Sequence, residues 1–331
     1  MKRMVISRAP VRICDIGGWT DTWFYPNGAV FNICVDLYSY VRIVESNNDK
    51  VRIFAENLKE YAEIKNHSEI EYNGNLDLLK AAIKRIKILG GMDVFIRAEA
   101  PPACGTGTSA SVAVALVSAL ARWQEIEMNP LEVAKLAHLL EIEELKLESG
   151  VQDQYAAASG GINFMEVNYP DVKLHKIQVS KKRILELENQ LILVYLSSRS
   201  SSKMHQAVIR NFKNKDNLTM ENFDIMKECA YEMKSAINSN IEKVGEIINR
   251  NWEAQKKLHP KMTNSYIDKL EKTSKEYDAL GFKCNGAGGG GSAVILSSIE
   301  NVFALQEEII KNGYQILPCK LSFNGVESFK L

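Results

Sequence analysis

A loop of small residues held between a strand and a helix constrains this chain most. Residues 101–111 read Pro-Pro-Ala-Cys-Gly-Thr-Gly-Thr-Ser-Ala-Ser. They follow a strand-like run, Val94-Phe95-Ile96, and lead into an apolar helical run that begins near Ser109 and continues through Val112, Ala115, Leu116 and Ala119. A loop that opens a helix presents unpaired backbone N–H groups at the positive end of the helix dipole. Gly105 and Gly107 let the backbone curl and let a bulky anion come close. Thr108, Ser109 and Ser111 add hydroxyls suited to capping the helix, binding phosphate or reaching a metal. The same residues also suit an ordinary strand–turn–helix connection, so the rest of the chain has to decide.

Two further segments bear on that choice. Gly286-Ala287-Gly288-Gly289-Gly290-Gly291 stands directly before the apolar strand run Ala293–Leu296. So many glycines are costly in backbone entropy, and a flexible linker rarely runs straight into a buried strand. The segment reads as a place of close backbone approach, to a ligand or to the first glycine loop. Near the start, Arg8-Ala9-Pro10-Val11-Arg12-Ile13-Cys14-Asp15-Ile16-Gly17-Gly18-Trp19-Thr20-Asp21-Thr22 sets Arg12 in an otherwise apolar strand-like run. A guanidinium there needs a partner. Gly17-Gly18 makes a turn, and Asp21 is a short acceptor suited to sugar hydroxyls; a purely structural Arg–Asp pair is the alternative.

Composition excludes several classes. With 41 Lys+Arg against 41 Asp+Glu the formal net charge is zero, so no global field draws in nucleic acid or an anionic membrane, and any phosphate site is local. No apolar run approaches the length that spans a bilayer. Six scattered cysteines (Cys14, Cys34, Cys104, Cys229, Cys284, Cys319) form no C-x-x-C pair and read as free thiols in a reducing cytoplasm.

The first 165 residues predict mixed α/β structure: strands at Met4–Arg8, Val30–Asp36, Tyr40–Val44, Val51–Phe54, Val94–Arg97 and Gly161–Glu166, and helices near Leu76–Ile88, Ser109–Trp123 and Pro130–Leu147. Leu191–Leu196 reads as a fully buried strand. Residues 203–280 turn helical, with core stripes at Met226, Ala230, Met233 and Ile237 and at Val244, Ile247, Ile248 and Trp252. A strand at Ser292–Leu296 and a helix at Val302–Asn312 complete an α+β second domain. The expected division is 1–185 and 186–331.

Taken together, the three segments resemble the GHMP family of small-molecule kinases, which carries an N-terminal substrate motif, a central Pro-x-x-x-Gly-Leu-Gly-Ser-Ser-Ala phosphate loop and a C-terminal glycine-rich motif in this order. Here the central motif runs from Pro101 to Ala110, with Thr106 for the usual Leu and Thr108 for the first Ser. The resemblance implies a two-domain α+β fold with the active site between the domains, ATP as phosphoryl donor and Mg2+ beside it. It assigns Pro101, Pro102, Ala103, Cys104, Gly105, Thr106, Gly107, Thr108, Ser109 and Ala110 to the nucleotide phosphates. It gives Asp153 the catalytic role, with Arg12 nearby, and sets Mg2+ on Ser109 and on Glu141, twelve residues before Asp153. Glu143, Glu144 and Glu148 crowd the same segment.

Within the family, the stretches at 8–21, 151–161 and 286–291 are most similar to sugar kinases that act at the anomeric carbon. The implied acceptor is D-glycero-D-manno-heptose 7-phosphate, with L-fucose or another monosaccharide second, because Gly17-Gly18-Trp19 departs from the heptose pattern toward that of fucokinases. A non-catalytic sugar or nucleotide sensor is a further reading. Gly17, Gly18, Trp19, Asp21, Gly288 and Gly289 are the expected acceptor contacts. Arg199 has two readings, a substrate phosphate contact or a loop anchor. Trp23 and Tyr25 are additional rings that can stack on a sugar. The expected partner is a small sugar or sugar phosphate, without nucleic acid or membrane, on a monomer or homodimer.

Overall fold

The computed structural model describes residues 2–331 except 66, 67, 69, 89 and 198–201. Its first sheet is built on two long antiparallel strands, β1 (Met4–Ile16) and β2 (Gly28–Glu45). Burial alternates in the outer half of β1 and becomes continuous from Ala9 onward. In β2 it is continuous through Val35 and alternates afterwards. Each strand is therefore covered on one face at one end and on both faces at the other. That change explains why the sequence suggests a short first strand and two pieces for the second. β1 does not stop at Arg8 but carries Arg12 along, with irregularities at Pro10/Val11 and Ile13/Ile16.

Around this pair, β5 (Met92–Ala98) joins the outer half of β2 and β6 (Ile162–Asn168) its inner half. β3 (Val51–Ala55) runs parallel to β5, and β4 (Glu60–Ile64) and β7 (Asp171–Lys176) form edges. The C-terminal β12 (Glu327–Lys330) returns to pair with β1, so the last residues of the chain lie in the first sheet. Helices α1 (Asp77–Ile86), α2 (Thr108–Trp123), α3 (Pro130–Leu139) and α4 (Gln152–Ser159) share its core through Ile83, Val94, Val114, Leu120 and Ala156. The helix expected over Pro130–Leu147 is shorter: α3 ends at Leu139 and passes into a π-helical turn at Leu140–Glu144.

The remaining elements are α5 (Lys181–Gln190), β8 (Leu191–Ser197), α6 (Ser202–Lys213), α7 (Asn217–Ala236), α8 (Ile241–Lys257), α9 (Ser265–Glu276), β9 (Gly281–Cys284), β10 (Gly291–Leu296), α10 (Val302–Lys311) and β11 (Gln315–Leu317). The second sheet is antiparallel, in the order β11-β8-β10-β9. Both expected helical stripes are buried, on α7 with its C-cap Ile237 and on α8. One core joins the halves, for it contains Val11, Ile13 and Phe31 together with Met233, Ile248 and Val294. Among the described residues no helix is long and apolar enough to cross a membrane.

The glycine run meets the first loop directly. A Cβ on Gly291, whose φ is +81°, would lie 2.6 Å from the Cys104 carbonyl oxygen. Of the two approaches open at the sequence level, contact with the first loop is present. Gly291→Ala should therefore cost about 1–3 kcal/mol through strain and overlap, measured by urea unfolding; parent stability would contradict this close approach.

Candidate active site

The loop at 101–110 takes its shape from residues held at positive φ: Ala103 (56°), Gly105 (79°) and Gly107 (74°). Gly107 is the N-cap of α2, and no side chain caps the helix. Among the described residues, no protein acceptor takes the backbone N–H groups of Gly105 through Ala110. They form an anion-binding end of a sixteen-residue helix. Ser111 does not share in it, because its hydroxyl donates to the Ala9 carbonyl at 2.8 Å and is buried. Cys104 and Thr106 are buried beneath the loop, while Pro102, Ala103, Thr108 and Ser109 line a cavity of about 390 Å³ that also contains Leu76 and Ile96.

On the other side of the loop, Arg12 ties three segments together. Its backbone N–H donates to the Thr106 carbonyl (3.0 Å), Nη1 to the Gly105 carbonyl (2.5 Å) and Nε to Asp153 Oδ1 (2.7 Å). Arg12 is 4% exposed. Burial works against its charge, but Asp153, Asp15 and Asp21 outweigh that cost and raise its pKa, so the guanidinium remains charged. Asp153 sits in the first turn of α4, its carboxyl partly open to solvent. A Cβ on Gly107 would lie 3.0 Å from Asp153 Cγ. The carboxylate and the anion cradle are thus immediate neighbours.

Beyond Asp153 opens a polar cleft of about 450 Å³. Asp15, Asp21, Glu148 and Asp153 supply four carboxylates to its wall, and Arg12 is the only Lys or Arg among its described lining residues. Trp19, at φ 79°, packs on His205 with the rings tilted and their centroids 4.8 Å apart. Asp21 is buried and accepts the Gln152 N–H at 3.0 Å; the missing side chain of Gly150 leaves room for its carboxylate. Burial pushes the Asp21 carboxyl up to about 6. Glu141 lies in the π-helical turn, which turns it inward, and hydrogen-bonds the Ser149 hydroxyl. Burial pushes it up to about 7 against the pull of that hydrogen bond, with the Asp153 charge adding to the rise.

Several expected acceptor contacts lie elsewhere. Gly17 donates its N–H to Asn251, and Gly18 packs on Asp15. Gly288 and Gly289 turn toward Met262 and Lys261, leaving Gly286 and Ala287 on the cleft wall. Trp19 and Asp21 do line it. Tyr25 belongs to an aromatic core with Phe212 and Phe223, and Trp23 packs on Phe24. Arg199 is outside the described residues. Sequence reasoning missed Glu148, Ser149, Gln152 and His205 as cleft residues. Only the first three carried a signal, their closeness to Asp153 along the chain.

Two family models match the chain: the GHMP kinases N terminal domain over residues 76–161 and the GHMP kinases C terminal over 233–315, together just over half of it. A D-glycero-alpha-D-manno-heptose 7-phosphate kinase of Campylobacter jejuni is 25% identical, over 99% of this chain and 100% of that protein. A bifunctional fucokinase/GDP-fucose pyrophosphorylase of Arabidopsis thaliana is 28% identical, over 87% of this chain and 29% of that longer protein. Among solved structures, a D-glycero-D-manno-heptose 1-phosphate kinase from Bacteroides thetaiotaomicron superposes with a TM-score of 0.82 at 23% identity, covering 99% of both chains.

The raised Glu141 carboxyl has a measurable consequence. Between about 4.5 and about 7 the folded protein keeps a proton that the unfolded chain has lost, so stability falls as pH rises through that window. In metal-free protein, Glu141→Gln should flatten the decline of unfolding free energy across this range. An unchanged slope in the variant would contradict the burial of a protonated carboxyl.

Proposed function

This chain belongs to the GHMP kinase family, and from that premise we propose that it transfers the terminal phosphoryl group of ATP to the anomeric hydroxyl of a sugar. One observation carries the reading: Arg12 joins the anion cradle to Asp153, whose carboxyl touches Gly107 and opens into a polar cleft. The triphosphate rests on the free N–H groups at the start of α2, and its base enters the cavity beside Leu76 and Ile96. The acceptor lies in the acidic cleft. Its hydroxyl oxygen attacks the terminal phosphorus, the bond to the β-phosphate oxygen breaks, and ADP leaves. Asp153 orients the hydroxyl and takes its proton. A loose transition state requires little early deprotonation, and an anomeric hydroxyl is more acidic than an ordinary alcohol.

Magnesium fits this arrangement. Glu141, buried and hydrogen-bonded to the Ser149 hydroxyl of the cleft wall, and Ser109, exposed on the first turn of α2, are the residues that would hold it. Among the described residues no group of three or more His, Cys, Asp or Glu forms a metal cage. When bound, Mg2+ neutralises charge developing on the phosphates. The six cysteine thiols, five of them buried, suit a cytoplasmic setting.

Similarity over the full length of the Campylobacter relative makes D-glycero-D-manno-heptose 7-phosphate the first acceptor to test. A second reading, L-fucose or another unphosphorylated sugar, draws on Gly17-Gly18-Trp19, which resembles the fucokinase form of this segment. Coupled ADP-release assays across free and 7-phosphorylated sugars, with NMR of the product, test both; ATP binding without turnover on any sugar would support a sensor.

Asp153→Asn should lower kcat by at least about 100-fold, the scale of general acid–base contributions, while leaving ATP affinity near parent. Equal losses in both would indicate a structural role. Gly107→Val should abolish ATP binding in calorimetry, because the side chain would meet Asp153 and close the phosphate approach; retained affinity would contradict this placement.

A further inference from the structure

A second ion pair, Asp15 on the wall of the acceptor cleft with Lys283 behind it, belongs to neither the anion cradle nor the base. Lys283 on β9 and Asp15 on β1 are both buried, at 0% and 1% side-chain exposure, and meet at 2.9 Å (Nζ to Oδ1). Asp15 Oδ2 accepts the Gly286 N–H at 3.0 Å, and Lys283 Nζ also donates to the Cys284 carbonyl at 2.8 Å. One residue earlier, the Cys14 N–H donates to Asn285 Oδ1 at 2.9 Å; Asn285 is fixed in turn by Ser292. The irregularity in β1 between Ile13 and Ile16 is therefore gripped by 283–286, at the head of the glycine run. Asp15 Oδ1 also stands 4.0 Å from Arg12 Nη1.

Burying a lysine and aspartate pair is no efficient route to stability, since apolar replacements of similar volume commonly do as well. Its position points to another use. Arg12 leaves the same strand three residues before Asp15, and the cleft wall formed by Gly286 and Ala287 begins three residues after Lys283. We infer that Asp15 and Lys283 are positioning residues for phosphoryl transfer, a clasp that sets the Arg12 fork and the Gly286–Ala287 wall against Asp153. The inference rests on the kinase reading above for its kinetic consequence, though not for its structural one. The clasp reaches the anion cradle only through Arg12, whose Nη1 donates to the Gly105 carbonyl.

The test compares full-length parent with Asp15→Asn, Lys283→Met and the double variant. Each single change leaves a buried group without its partner and is expected to lower stability, whereas the double variant removes both charges and should stay within a few degrees of the parent melting temperature, roughly as neutral replacements of buried pairs do. In the double variant kcat/KM for the acceptor should fall at least about tenfold while the melting temperature holds. Hydrogen exchange supplies an arm that needs no turnover: the Arg12 and Gly286 amides should lose protection while the α8 amides keep theirs. Parent-like acceptor kinetics, or parent protection at Arg12 and Gly286, would overturn the clasp. Parent protein that phosphorylates no sugar would overturn the kinase reading instead, and the exchange arm then decides the clasp alone.

Discussion

The Arg12 guanidinium is buried where three distant parts of the chain meet, and each of its bonds fixes one of them. Its main-chain and Nη1 donors take the carbonyls of Thr106 and Gly105, so those oxygens point away from the helix end and leave the neighbouring N–H groups free. Its Nε takes Asp153 and holds that carboxylate against Gly107. A charge buried this deeply is tolerable only with such partners. The candidate site is assembled around this cation, with the polar cleft on one side of the loop and the cavity beside Leu76 and Ile96 on the other.

Glycine at two positions makes this closeness possible. Gly107 combines a left-handed backbone with space into which the Asp153 carboxyl projects, and Gly291 lets the second sheet press its backbone onto the Cys104 carbonyl. Both approaches join elements far apart in sequence. The shared core behind them, where α7 and α8 cover the inner halves of β1 and β2, keeps the two sheets in a fixed relation. A cleft between the sheets then has walls that belong to both, with Trp19 and Asp21 from one and Gly286 and Ala287 from the other.

What could be read from the sequence was mostly local. The phosphate loop, the long apolar helix after it and the buried stripes of α7 and α8 carry their signals within a few turns of chain. Arg12 stood out because an arginine in an apolar run demands a partner, and Asp153 was tied to it only through the family resemblance. The short α4 leaves no periodic trace: half of Gln152–Ser159 is small residues, and packing on α2, α3 and β1 makes it helical. β12 pairs with a strand more than 300 residues away, and the Lys283–Asp15 pair spans 268. No window on the sequence reaches that far. The same distance explains why Gly288 and Gly289 drew attention when Gly286 and Ala287 form the wall, since the direction in which a glycine run faces is decided by what packs against it.

The central claim is spatial: the terminal phosphate of the nucleotide lies in the cradle before α2, within reach of Asp153. A crystal structure with a non-hydrolysable ATP analogue and magnesium tests it most directly. The terminal phosphate is expected on the N–H groups of Gly105 through Ala110, with Asp153 about one hydrogen-bonded oxygen away from the acceptor position. A triphosphate bound elsewhere, or an Asp153 carboxyl turned from the cradle and no longer bonded to Arg12, would contradict it.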